Sequence, residues 1–142
     1  MKKKITSLAL MLIVMFQVTA SALTPSVYLD GEKMTFESDP YIKEERTMVP
    51  FRALFEAVGA HVAWDGDTKT VVALDIDGDN VTSIVLQIGS DVAFVNDEKI
   101  KLDAPPEIKD DFTFVPLRFV MESLGADVDW DQTEYKAIIK TK

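Results

Sequence analysis

Arg52 with Glu56, and Arg118 with Glu122, stand four residues apart along the chain. On a helix that spacing places both side chains on one face, where they could serve acid–base chemistry or grip a sugar carboxylate. An intrahelical ion pair has the same spacing, and its arginine can also fork to a nearby carbonyl oxygen. Two such pairs in matching contexts favour the scaffold role. Asp110 and Asp111 are adjacent carboxylates, which a hydrolase could use if a cleft split their pKa values; two neighbouring acids in a charge-rich chain do not by themselves indicate one. Asp75-Ile76-Asp77-Gly78-Asp79-Asn80 opens like a calcium loop. An EF-hand needs glycine at its sixth position and glutamate at its twelfth, and here those positions hold Asn80 and Leu86, so a hairpin turn is expected instead.

His61 is the only histidine and there is no cysteine. This excludes disulfides, thiolate metal sites and cysteine nucleophiles. The serines lack a nucleophile-elbow context, and no glycine-rich phosphate loop follows a strand. The sequence therefore predicts no catalytic residue, no metal and no cofactor. Trp64 and Trp130 sit before Asp-containing turns. Exposed there, they would stack on sugar rings or anchor a protein partner; packed over a helix end, they would be core, which is the simpler expectation.

These residues are positioned by a duplication. The segment from Val49 to Asp65 recurs from Val115 to Asp131 without a gap, at the offset of 66 residues that separates Trp64 from Trp130. In each copy a proline (Pro50, Pro116) suits the first helical turn and a glycine (Gly59, Gly125) suits the left-handed position after the helix. Phe51, Leu54, Phe55 and Val58 in one copy, and Leu117, Val120, Met121 and Leu124 in the other, follow the spacing of a buried stripe. Helices this short are marginal alone and need a sheet to lie on. Asp30-Gly31 and Asn96-Asp97 read as hairpin turns ahead of the helices, and Asp65-Gly66-Asp67 joins two strands after the first helix. A strand over 81–88 occurs once. The predicted fold is α+β: antiparallel sheets with two short helices, arranged as an internal pseudo-twofold repeat of hairpin–helix–hairpin, about 27–76 and 92–141.

The first 22 residues combine Lys2, Lys3 and Lys4, an apolar run from Ile5 and a small-residue end at Ala20-Ser21-Ala22. That order is a secretory signal peptide, leaving 23–142 as the mature domain, with no membrane span after cleavage. Without those lysines the 15 basic side chains fall to 12 against 24 acidic ones, a formal charge of −12. Such a surface repels phosphate backbones, so nucleic acid is not an expected partner.

Arg46-Thr47-Met48-Val49-Pro50-Phe51-Arg52, Glu56-Ala57-Val58-Gly59-Ala60, Trp64-Asp65, Ile88-Gly89-Ser90, Asp103-Ala104-Pro105-Pro106 and Phe114-Val115-Pro116-Leu117-Arg118-Phe119 together resemble the copper amine oxidase N-terminal domain family, also called the stalk domain. The likeness covers nearly all of the chain after the signal. It implies a secreted or cell-envelope module. In the oxidases that lend the name, the module is accessory, and copper belongs to a separate catalytic domain. Asn96-Asp97 and Asp110-Asp111 depart from the glycine-containing turns common in the family.

The expected function is that of a noncatalytic binding or spacer module, secreted or wall-associated, recognising a cell-wall polysaccharide or an exported protein. Loops bear function more often than scaffold does. The segments Asp39–Glu45 and Pro105–Asp111 are expected to be loops, and with them Asp39, Tyr41, Lys43, Glu107, Lys109, Asp110, Trp64 and Trp130 are candidate contacts. Self-assembly through sheet edges and a carboxylate-based hydrolase are the alternatives.

Overall fold

Asp30 and Gly31 both take positive φ, +48° and +86°, which is what a two-residue primed turn requires. They join β1 (Ser26–Leu29) to β2 (Glu32–Lys33). The computed structural model describes residues 23–142; the signal segment expected at 1–22 lies outside the described residues. Glu44 and Glu45 make a second such turn, φ +50° and +64°, between β3 (Tyr41–Lys43) and β4 (Arg46–Pro50). Pro50 ends β4 and leads directly into α1 (Phe51–Ala57), whose Phe51, Leu54 and Phe55 are buried. Gly59, at φ +78°, turns the chain out of the helix while its N–H and that of Ala60 satisfy the carbonyls of Glu56 and Phe55.

Five antiparallel strands follow: β5 (His61–Asp65), β6 (Thr70–Asp77), β7 (Asn80–Gln87), β8 (Val92–Val95) and β9 (Glu98–Lys101). The chain then repeats the earlier local pattern. β10 (Glu107–Lys109) turns through Asp110 and Asp111, φ +50° and +66°, into β11 (Phe112–Pro116). Next come α2 (Leu117–Ser123), Gly125 at φ +85°, β12 (Asp127–Asp131) and β13 (Lys136–Lys140).

The strands form three sheets, ordered β12-β13-β1-β2, β10-β11-β4-β3 and β5-β6-β7-β8-β9. The α+β class with mostly antiparallel pairing matches the sequence reading, with two corrections. First, β1 pairs with β13 in parallel, Ser26 opposite Lys136 through Leu29 opposite Ile139. A direct pairing between the two ends of the described chain leaves no mark in local sequence. Second, the expected loops at Asp39–Glu45 and Pro105–Asp111 contain strands β3 and β10. Glu44-Glu45 lacks the Gly or Asn that advertises a hairpin, so that turn was silent.

Each four-stranded sheet combines strands from early and late in the chain, and β7 joins β6 to β8 in the five-stranded one. One apolar cluster draws on the helices and on β1, β4, β6, β7, β11 and β13, with Leu54, Phe55, Ile84, Leu86 and Ile139 fully buried. A smaller cluster of Met48, Ala104 and Phe114, flanked by Tyr41 and Phe112, lies apart from it. Along β4, Met48 and Val49 project to opposite faces, which explains how neighbours serve different clusters. Among the described residues no helix is long and apolar enough to cross a membrane.

Candidate binding grooves

Four of the expected contact residues meet one another. β3 and β10 are opposite edges of one sheet, yet the Tyr41 hydroxyl and the Lys43 ammonium both donate to the Glu107 carboxylate. Lys109 Nζ lies 4.2 Å from the centroid of the Tyr41 ring, and that ring packs 4.8 Å from Phe114. The sheet is therefore curled enough for its edges to touch over the small apolar cluster. Burial raises the Tyr41 phenol well above its ordinary range, and the bond to Glu107 adds to this. For Glu107 burial pushes upward, but the bonds from Lys43 and Tyr41 prevail and hold its carboxyl below the usual value. The bond to Glu107 likewise raises Lys43. Asp39 and Asp110 are exposed beside these strands. Asp111 is exposed too, so the neighbouring acids lack the buried setting in which a general acid is made.

The two tryptophans line grooves of nearly equal size. One, about 490 Å³, is bounded by Trp130, Arg118 and Leu117 on one side and by Glu45, Arg46 and Thr47 on the other. The second, about 480 Å³, is bounded by Trp64, Arg52 and Phe51 and by Asp111, Phe112 and Thr113. Every residue of the second set stands 66 positions from one of the first. In each groove a helix and the following strand face a hairpin turn from the other half of the chain. Sequence reasoning found the tryptophans and arginines but missed Phe112 and Thr113, which reach their groove only through the β4–β11 pairing.

The scaffold reading of the arginine–glutamate pairs has a geometric basis. Arg118 Nη1 donates to Glu122 Oε1 at 3.2 Å and to the Val128 carbonyl at 2.8 Å, tying α2 to β12. Arg52 reaches Glu56 at 3.5 Å and lies 5.4 Å from the Phe51 ring centroid. The strand turns are held by aspartates: Asp65 accepts from the N–H groups of Asp67 and Thr68, which lowers its carboxyl pKa, Thr68 contributing most. Asp131 accepts from Glu134 N–H at 3.1 Å. Among the described residues no group of three or more His, Cys, Asp or Glu is placed to hold a metal ion.

The described residues form an α+β domain of mostly antiparallel sheets with open grooves and no buried polar side chain. Residues 28–139 match the copper amine oxidase N-terminal domain, and the chain belongs to that family. The domain that defines the family is noncatalytic. No curated protein is significantly similar to the chain.

Proposed function

We propose that this chain is a secreted or cell-envelope binding module that recognises cell-wall polysaccharide through its tryptophan-lined grooves. The observation that carries the reading is the groove composition: an indole beside a guanidinium, with carboxylates at the margin. Aromatic faces stack on the apolar faces of sugar rings, and the surrounding charged groups pair with hydroxyls. We read the chain as two pseudo-twofold halves, about 27–76 and 92–141, within one domain over 23–142 that follows a cleaved signal; the pairing of Val49 with its counterpart Val115 supports this. The test is retention of the exported chain by purified wall polysaccharide and by a secreted-protein fraction, run side by side. Retention by the polysaccharide alone is expected; retention by neither would overturn the reading.

Self-assembly has a specific observation in its favour. Leu74, Ile76, Val81 and Phe94 are exposed on the five-stranded sheet, Ile76 and Val81 about half so. Ile76 is paired with Val81 in the β6–β7 hairpin. Size exclusion against concentration tests it: an oligomer that grows with concentration supports a spacer, and a constant monomer excludes it.

A further inference from the structure

The two grooves are built alike but are not equally free. We propose that the Trp64 groove is the glycan site, that it takes an uncharged or N-acetylated pyranose chain, and that the Trp130 groove is its self-satisfied counterpart. This rests on the polysaccharide-binding reading and names the residues and ligand class within it.

Three differences point the same way. Trp130 Nε1 donates to Gln132 Oε1 at 2.8 Å. The position equivalent to Gln132 is Gly66, and Trp64 Nε1 has no acceptor among the described residues. Tyr135 covers Trp130 edge-on, with ring centroids 5.1 Å apart and planes at 77°. The equivalent residue is Lys69, and the two share a backbone conformation, φ +54° and +53°; only the side chain that would cover the indole differs. Trp64 is 37% exposed, whereas Trp130 is partly buried against the main core. Third, Arg118 is tied to a strand carbonyl at 2.8 Å, while Arg52 is held by Glu56 at 3.5 Å. One groove ties its indole N–H to Gln132 and its guanidinium to a strand carbonyl. Among the described residues the other leaves its indole N–H without an internal acceptor, and its guanidinium is held only by Glu56 and the Phe51 ring.

The rest of the Trp64 groove narrows the ligand. Phe112 supplies a second aromatic side chain where the other groove has Arg46, itself paired with Asp103 at 2.6 Å. Glu37, Glu56 and Asp111 at the margins accept hydrogen bonds from hydroxyl or acetamido groups and repel anionic polymers. The net negative surface adds to that repulsion.

Two tryptophans give two indole N–H resonances, which makes the test direct. The ¹⁵N-labelled exported chain is titrated with a hexamer of β-1,4-linked N-acetylglucosamine, with Trp130→Phe used for assignment. The Trp64 resonance is expected to move saturably and the Trp130 resonance to stay. Gly66→Gln should weaken binding about tenfold by giving Trp64 Nε1 an internal acceptor; a Cβ at this position would lie 3.7 Å from that nitrogen, an ordinary contact. Trp64→Ala should abolish binding, with circular dichroism confirming the fold. Movement of Trp130 alone, movement of neither, or unchanged binding by Trp64→Ala overturns the assignment. If wall polysaccharide still retains the protein in those cases, the binding-module reading survives and only the Trp64 site falls.

Discussion

Val49 and Val115 lie opposite each other where β4 meets β11, and both side chains are wholly buried. They are also equivalent positions of the duplicated segment. The contact thus brings matching residues of the two sequence copies together, and Pro50 and Pro116, one residue on, end β4 and β11 and lead into α1 and α2. Both grooves depend on this junction, since each takes one wall from each half.

Truncating either valine should destabilise the fold by a similar amount, about 2–3 kcal/mol, from lost apolar burial and the residual cavity. Chemical denaturation of Val49→Ala and Val115→Ala checks this. Because the residues are paired, the double variant should depart from additivity. A cost near zero at either site would show that the junction does not hold the halves together.

Arg118→Ala should cost about 1–2 kcal/mol, because it removes a charge-assisted bond to the Val128 carbonyl. Arg52→Ala should cost no more than about 0.5 kcal/mol, as an exposed helix pair. Thermal melts of the two variants decide it. Equal costs would contradict the asymmetry of the grooves.

The Tyr41–Lys43–Glu107 cluster makes stability pH-dependent at both ends. The folded Glu107 carboxyl lies below its ordinary value of 4.5, so its contribution is present above the usual carboxylate range and is lost as pH falls through the lowered value. The Tyr41 phenol is raised from 10.0, so its contribution is present below the ordinary tyrosine range and is lost as pH rises through the raised value. Melting temperature against pH should fall less steeply on the acid side in Glu107→Gln, and less steeply on the alkaline side in Tyr41→Phe. An unchanged slope in either variant would remove that group from the account.

Asp30 accepts hydrogen bonds from the Thr141 hydroxyl at 2.5 Å and from its N–H at 2.9 Å, and the hydroxyl bond leads in lowering its carboxyl pKa. That clasp closes the parallel β1–β13 pairing. Asp30→Ala should speed amide exchange at the end of β13, around Ile139 and Lys140, and leave β7 unaffected. Uniform acceleration across both strands would indicate global rather than local loosening.

Much of this architecture was legible because the chain states it twice. The Pro-to-Gly frame of each helix and the buried stripe between gave α1 and α2, and the Asp-Gly turn gave β1 and β2. The β3–β4 hairpin was hidden because Glu44 and Glu45 take a left-handed conformation that their residue types do not announce. For the candidate site, Trp64 and Trp130 were visible as a pair, but their difference was not. It depends on Gly66 against Gln132 and Lys69 against Tyr135, substitutions that look trivial until the indoles are seen beside them. Tyr41, Lys43, Glu107 and Lys109 were recognisable as polar residues of matching segments. That they would meet each other depends on the curl of a sheet, which no local pattern encodes.

The measurement that bears most directly on the central claim is a co-sedimentation isotherm of residues 23–142 with insoluble wall polysaccharide freed of anionic polymers. Saturable binding, reversed by soluble oligosaccharide and lost in Trp64→Ala, is the predicted result. Protein left in the supernatant at every concentration, or bound without saturation and equally well by the variant, would contradict it.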